Sequence, residues 1–176
     1  AVLNSEVSIT GGSSGGGVDA IKFDSTVDGS TVSISGIALS GSDHGIKAIG
    51  DVGTSTIAIT DCAMTVAKWT VVFNGLSGGS LTITRGSLDA VQYGLMVSGL
   101  IVGTPVTVRG TAITLASDYA ILFQQAISGA SPIVIDGVTI GGTPDFGLTF
   151  SVAMTGRDIA IRDSSITAAN TAVQLS

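Results

Sequence analysis

Apolar residues recur along this chain in short pairs separated by one outward position. The first set reads Val7-x-Ile9, Val32-x-Ile34, Ile57-x-Ile59, Leu81-x-Ile83, Val106-x-Val108, Ile133-x-Ile135 and Ile159-x-Ile161, with successive pairs 24 to 27 residues apart. A single apolar residue follows six of these pairs: Leu39, Met64, Leu88, Ile113, Ile140 and Ile166. A second set of pairs comes next: Ile21/Phe23, Ile46/Ala48, Val71/Phe73, Leu95/Val97, Ile121/Phe123, Leu148/Phe150 and Val173/Leu175. A last column reads Val2, Val27, Val52, Leu76, Ile101, Ile127 and Met154, and Gly recurs after it at Gly53, Gly78, Gly103, Gly129 and Gly156.

Each pair has the two-residue period of a strand with one buried face. Many inward positions are β-branched, which suits a pleated surface. Gly, Ser, Thr and Asp follow the strands, as turns require. Pro105 and Pro132 stand just before a strand, where the missing N–H does least harm. No segment carries a helical stripe with caps. Because the period is a coil of about 25 residues, each strand pairs with its counterpart one coil on, about 4.8 Å away. The pattern therefore predicts an all-β, single-domain right-handed parallel β-helix over residues 1–176. It has about seven coils of three short strands each, a dry interior and no capping elements.

Composition sharpens this picture. Of 176 residues, 44% are hydrophobic but only 11% are charged, and Gly fills 25 positions. A narrow core with many tight corners explains this balance, since Gly tolerates positive φ. Cys62 is the only cysteine, so a disulfide scaffold is excluded. No apolar run is long enough for a membrane-spanning helix. The net charge of −6 argues against nucleic acid, which needs clustered Lys and Arg.

The repeated V-x-I…[GD]-x-x-[ILM] coil resembles the pectate-lyase-like β-helix superfamily, which includes pectin-degrading enzymes, phage tailspikes and bacterial surface proteins. The resemblance covers nearly the whole chain. It implies the architecture and not an activity, because this fold hosts many functions. Two departures point to a non-catalytic member. Asn, often stacked inside such coils, occurs only at Asn4, Asn74 and Asn170, in different columns. The long turn insertions that wall an enzyme cleft are missing, since the first and third columns are always seven residues apart.

Several columns carry candidate chemistry. The outward column Thr10, Ser35, Thr60, Thr84, Arg109, Asp136, Arg162 predicts cross-strand pairs on the surface, with Asp61 and Arg85 pairing one position on. Asp118 and Asp145 fall one coil apart, near the carboxylate spacing of a retaining glycosidase or of a shared Ca²⁺ site. No pocket for a general acid accompanies them, so the expectation is two turn residues in water, with no catalytic residue, metal or cofactor. The next column reads Asp19, His44, Trp69, Tyr93, Tyr119, Phe146, Thr171. Trp69, Tyr93 and Tyr119 are either a sugar platform or a packed aromatic stack. Parity with Val71 and Leu95 favours an inward or corner position, and a strand that begins only after the aromatic would leave the ring outside. His44, beside Asp43, reads as a surface residue, Cys62 as a buried inert thiol, and Lys22 with Lys47 as a solvated pair. The run at residues 11–17 lacks a phosphate-loop ending, replaces the third apolar column and reads as a flexible turn.

The two ends are complementary. Ala1-Val2-Leu3 matches the closing strand of a coil, and Ala172 to Ser176 matches a coil that lacks one. Open strand edges template pairing, and a heterologous contact that does not close generates a filament. The expectation is an extracellular or cell-surface structural protein, not an enzyme, whose partner is itself. Val2, Leu3, Val7, Ile9, Ile159, Ile161, Val173 and Leu175 would form the subunit interface. An excised piece of a longer β-helix fits the same ends. The alternative function is binding or cleavage of a polysaccharide through Trp69, Tyr93, Tyr119, Asp118 and Asp145.

Overall fold

The computed structural model describes residues 1–151, 154 and 158–175. The chain winds as a parallel β-solenoid of about seven coils, and every ladder is parallel with the pairing partner one coil away. No helix occurs among the described residues, and none is long and apolar enough to cross a membrane.

Three sheets of seven strands run along the solenoid. The first starts at Glu6–Thr10 and ends at Ile159–Arg162. The second runs from Ser13–Gly15 to Ser165–Ile166, and the third from Asp19–Phe23 to Thr171–Leu175. The residue pattern predicts three strands per coil; a fourth, fragmentary face is also present. It consists of two-residue strands such as Val2–Leu3 and Ile101–Val102, linked through single bridges at Val52 and Met154. The single apolar residue that follows six of the first pairs lies on the second sheet, as Leu39 does in Ala38–Ser40 and Met64 in Ala63–Thr65.

The predicted columns are the observed register. Val7 pairs with Val32 and Val32 with Ile57, and so on to Ile159. Ile46, Val71, Leu95, Ile121 and Leu148 likewise stack without a slip. The inward residues form one continuous apolar core, with Val2, Val7, Ile9, Met154, Ile159 and Ile166 packed at its margins. Cys62 is buried in it beside Ile37, as the columns predict. A one-residue slip would turn every interior side chain outward, so the seven-fold repetition fixes register strongly.

The corner between the first and second sheets repeats a left-handed residue in all seven coils: Gly11, Gly36, Asp61, Arg85, Gly110, Gly137 and Asp163. Gly takes this conformation freely, whereas other residues are strained in it. The turn signal of the glycines is legible; Asp61, Arg85 and Asp163 take the same conformation in register with them. The Gly-rich run at residues 11–17 is more ordered than a flexible turn, because Ser13–Gly15 pairs in register with Ala38–Ser40. Ser14 takes the place of the third apolar column there, opposite Leu39. The recurrent turn glycine Gly156 lies outside the described residues.

A polar ladder replaces the absent Asn stack. Ser30, Ser55, Thr104 and Ser131 are buried at the turn that leads into the first sheet. The N–H of Ser5 donates to the Ser30 hydroxyl at 3.1 Å, that of Ser30 to Ser55 at 3.0 Å, and that of Thr104 to Ser131 at 3.0 Å. These hydroxyls satisfy backbone groups that the turn cannot pair with another strand, and an unpaired buried group would be costly.

Candidate functional site: the aromatic ladder and the open coils

The ladder begins with a corner. Its sequence signal is a column of small residues, Ala20, Gly45, Thr70, Gly94, Ala120, Gly147 and Ala172, that follows the aromatic column. Thr70 is fully buried and Ala120 belongs to the interior core, although Val71 and Ile121, the next residues, also face inward. Two consecutive inward residues break the two-residue alternation. Only small side chains fit, because a Cβ on Gly94 would meet the Ala120 carbonyl oxygen at 2.6 Å and Ile113 at 2.5 Å. The Thr70 hydroxyl donates to the carbonyl of Gly94.

This break reverses the parity expected for the rings. Trp69, Tyr93 and Tyr119 lie outside the main core, packed on the outward residues Val72, Met96 and Leu122, which form a separate buried cluster. The rings stack along the solenoid axis. Tyr93 and Tyr119 have centroids 5.9 Å apart at 6°, and Tyr119 and Phe146 are 4.8 Å apart at 11°. Trp69 meets Tyr93 edge-on at 5.9 Å and 80°. At 4.8 Å the Tyr119 and Phe146 rings overlap face over face, while Tyr93 lies parallel to Tyr119 but offset. Tyr119 and Phe146 therefore cover one face of each other, whereas Trp69 and Tyr93 meet edge to face. The Trp69 indole N–H donates to Gln92 at 3.1 Å.

His44 caps the ladder and corrects the surface reading. It is only 6% exposed, stacks on Trp69 at 4.4 Å, and its Nδ1 lies 2.6 Å from Asp19 one coil back. Its sequence neighbour Asp43 instead binds Lys68 Nζ at 2.7 Å, which holds the Asp43 carboxyl below the usual carboxylate range. Lys22 and Lys47 share an outward column as expected, and each also meets a carboxylate. Lys22 binds Asp24 at 2.7 Å, while Lys47 lies 3.9 Å from Asp19 and 5.3 Å from the Trp69 ring centre.

Asp118 and Asp145 do lie in neighbouring coils, since Tyr119 pairs with Phe146. Each is held locally. Asp118 is a left-handed turn residue within 3.4 Å of Ser117, and Asp145 accepts from Asn170 at 3.1 Å. Among the described residues, no group of three or more His, Cys, Asp or Glu side chains converges as a metal site would need. The outward surface pairs form as expected, with Arg85 gripping Asp61 through two bonds and Arg109 binding Asp136 at 3.0 Å.

The other candidate surface is the pair of end coils. Ile161 is 40% exposed, Val173 39% and Leu175 62%, whereas their counterparts one coil inward are buried; Leu3 is exposed because it lies on an outward column, as Asp28 and Val102 do. Val2, Val7, Ile9 and Ile159 are half-buried. At the first coil the lumen opens as a cavity of about 300 Å³ lined by Ile9, Ser14, Ile21, Ile37 and Leu39. It exists because Gly12 and Ser14 stand where the next coil places Ile37 and Leu39. In comparisons with known proteins, no family model matches this chain, and no curated protein or solved structure matches it significantly.

Proposed function

We propose that this chain is a structural protein rather than an enzyme. In this reading it is a right-handed, pectate-lyase-like β-helix that stacks head to tail on copies of itself, outside the cell or at its surface. The right hand is the one that parallel crossover connections favour. The observation that carries the reading is the contrast between sealed middle coils and open end coils. Ile34, Ile46, Leu148 and Phe150 are fully buried, while Ile161, Val173 and Leu175 of the seventh coil are exposed. Burying such residues is worth about 1.5–3 kcal/mol each, and the open strand edges add main-chain pairing. The separately held carboxylates and rings that turn edge-on to one another at Trp69 and Tyr93, rather than forming one flat platform, lend less support to polysaccharide binding or cleavage. Electron microscopy and fibre diffraction of the purified protein test the proposal. Rods with a repeat near ~4.8 Å along the axis are expected, and a protein that stays monomeric at high concentration would overturn it.

A further inference from the structure

If copies stack, the columns also specify how. We propose that the joint between two copies continues the coil register without a slip, so that the seventh coil of one copy lies on the first coil of the next. This rests on the self-stacking reading and adds the register of the interface and the contents of its cavity. In this register Ile159 stacks on Val7, Ile161 on Ile9, Val173 on Ile21 and Leu175 on Phe23. The same kinds of pair occur inside the chain, where Ile133 stacks on Ile159, Leu148 on Val173 and Phe150 on Leu175.

Three further matches coincide only in this register. Asp163, a left-handed corner residue, falls on Gly11, which has the same conformation. Ala172 falls on Ala20, so the small-residue corner that tolerates no larger side chain at Gly94 or Gly147 is continued. Ile166 falls over Ser14, at the mouth of the open cavity of about 300 Å³. On the outside, Thr171 comes beside Asp19 and Gln174 beside Lys22, so hydroxyl and amide groups meet charges. A two-residue slip that set Ala160 beside Thr10 would keep the strand faces but would misplace both corners, placing Ile161 on Gly11 and Leu175 on Ser25. The joint has one adverse contact, Glu6 beside Asp158, both exposed. Such like-charge neighbours weaken a strand pair without preventing it.

Disulfide trapping reads the register directly. The outward residues Ser8 and Ala160 face each other across the proposed joint, at a spacing of about 4.8 Å, within the range a disulfide bridges. Within one copy they are six coil steps apart, about 29 Å, so no internal bond can form. The full chain carrying Ser8→Cys and Ala160→Cys should give a covalent ladder of dimers, trimers and longer species on mild oxidation, each reversed by reductant. Cys62 is buried and stays silent; each single variant serves as its control. A chain carrying Thr10→Cys and Ala160→Cys, matched to the two-residue slip, should give no ladder. Rods that trap through the slipped pair, or through neither pair, would overturn the register while leaving self-stacking intact. A chain that forms neither rods nor a ladder would overturn the register together with the reading beneath it.

Discussion

The lumen of the solenoid and the ring ladder outside it are both stacks with one member per coil, yet they obey different rules. Inside, Phe123 and Phe150 are buried and stack with centroids 4.9 Å apart. Outside, four residues earlier on the same strands, Tyr119 and Phe146 stack at 4.8 Å but remain half-exposed. The ring pairs are nearly identical, and what differs is what lies beyond them. The inner rings have side chains of other sheets against their edges, whereas the outer rings have water. The inner column accordingly holds only apolar members, from Phe23 and Ala48 through Phe73, Val97 and Phe123 to Phe150 and Leu175. The outer column passes through Asp19 and His44 at one end and Thr171 at the other.

The sharpest way to break this comparison is to remove one ring from each stack. Phe123→Ala should leave a cavity that a packed lumen cannot collapse, costing about 3–5 kcal/mol. Tyr119→Ala should cost about 1–2 kcal/mol, since it removes two stacked contacts and only half a buried side chain. Urea unfolding followed by far-ultraviolet circular dichroism measures both. Equal losses would mean that the outer ladder is as tightly enclosed as the lumen.

The interior was legible in the residues because a column repeated seven times averages out local ambiguity. Even its defect was visible, since Ser14 interrupts Leu39, Met64 and their successors. The outer ladder was legible as a column but not as a face. Counting alternate residues from Val71 to Trp69 assumes an unbroken strand, and the two inward residues Thr70 and Val71 break it. The sign of that corner was present in the run of Ala, Gly and Thr after the rings. His44 was misplaced for a different reason. Its sequence neighbour Asp43 is taken by Lys68, while Asp19, 25 residues away, is one coil away in space. In a solenoid the nearest partner is set by the coil period, not by the chain.

A third change sharpens the boundary of the outer cluster. Thr149 continues the stripe of Val72, Met96 and Leu122, and its Oγ1 is buried without a hydrogen-bond partner. Leaving a buried hydroxyl unpaired costs about 1–3 kcal/mol, which an apolar group of the same shape avoids. Thr149→Val should therefore stabilise the chain by about 1 kcal/mol, read as a higher urea midpoint with an unchanged slope. A loss instead would mean that the hydroxyl is satisfied in solution and that the outer stripe ends at Leu122.

The smallest effect is expected where the outside is polar. Asp28 ties its coil to the next, its Oδ1 accepting from the Thr54 N–H at 2.8 Å, the Thr54 hydroxyl at 2.9 Å and the Gly29 N–H at 3.0 Å. The bonds from Thr54, reinforced by Gly29, hold this carboxyl below the usual carboxylate range. A carboxyl depressed on folding contributes stability that is complete above its unfolded value. That stability is lost as pH falls through the lower folded value. Asp28→Asn keeps an acceptor but not the charge, so it should lower the urea midpoint slightly at neutral pH. The two proteins should converge in acid, where both carry a neutral group at this position. A gap that persists unchanged in acid would assign the loss to the shape of the turn, because only the charged form is favoured by these donors.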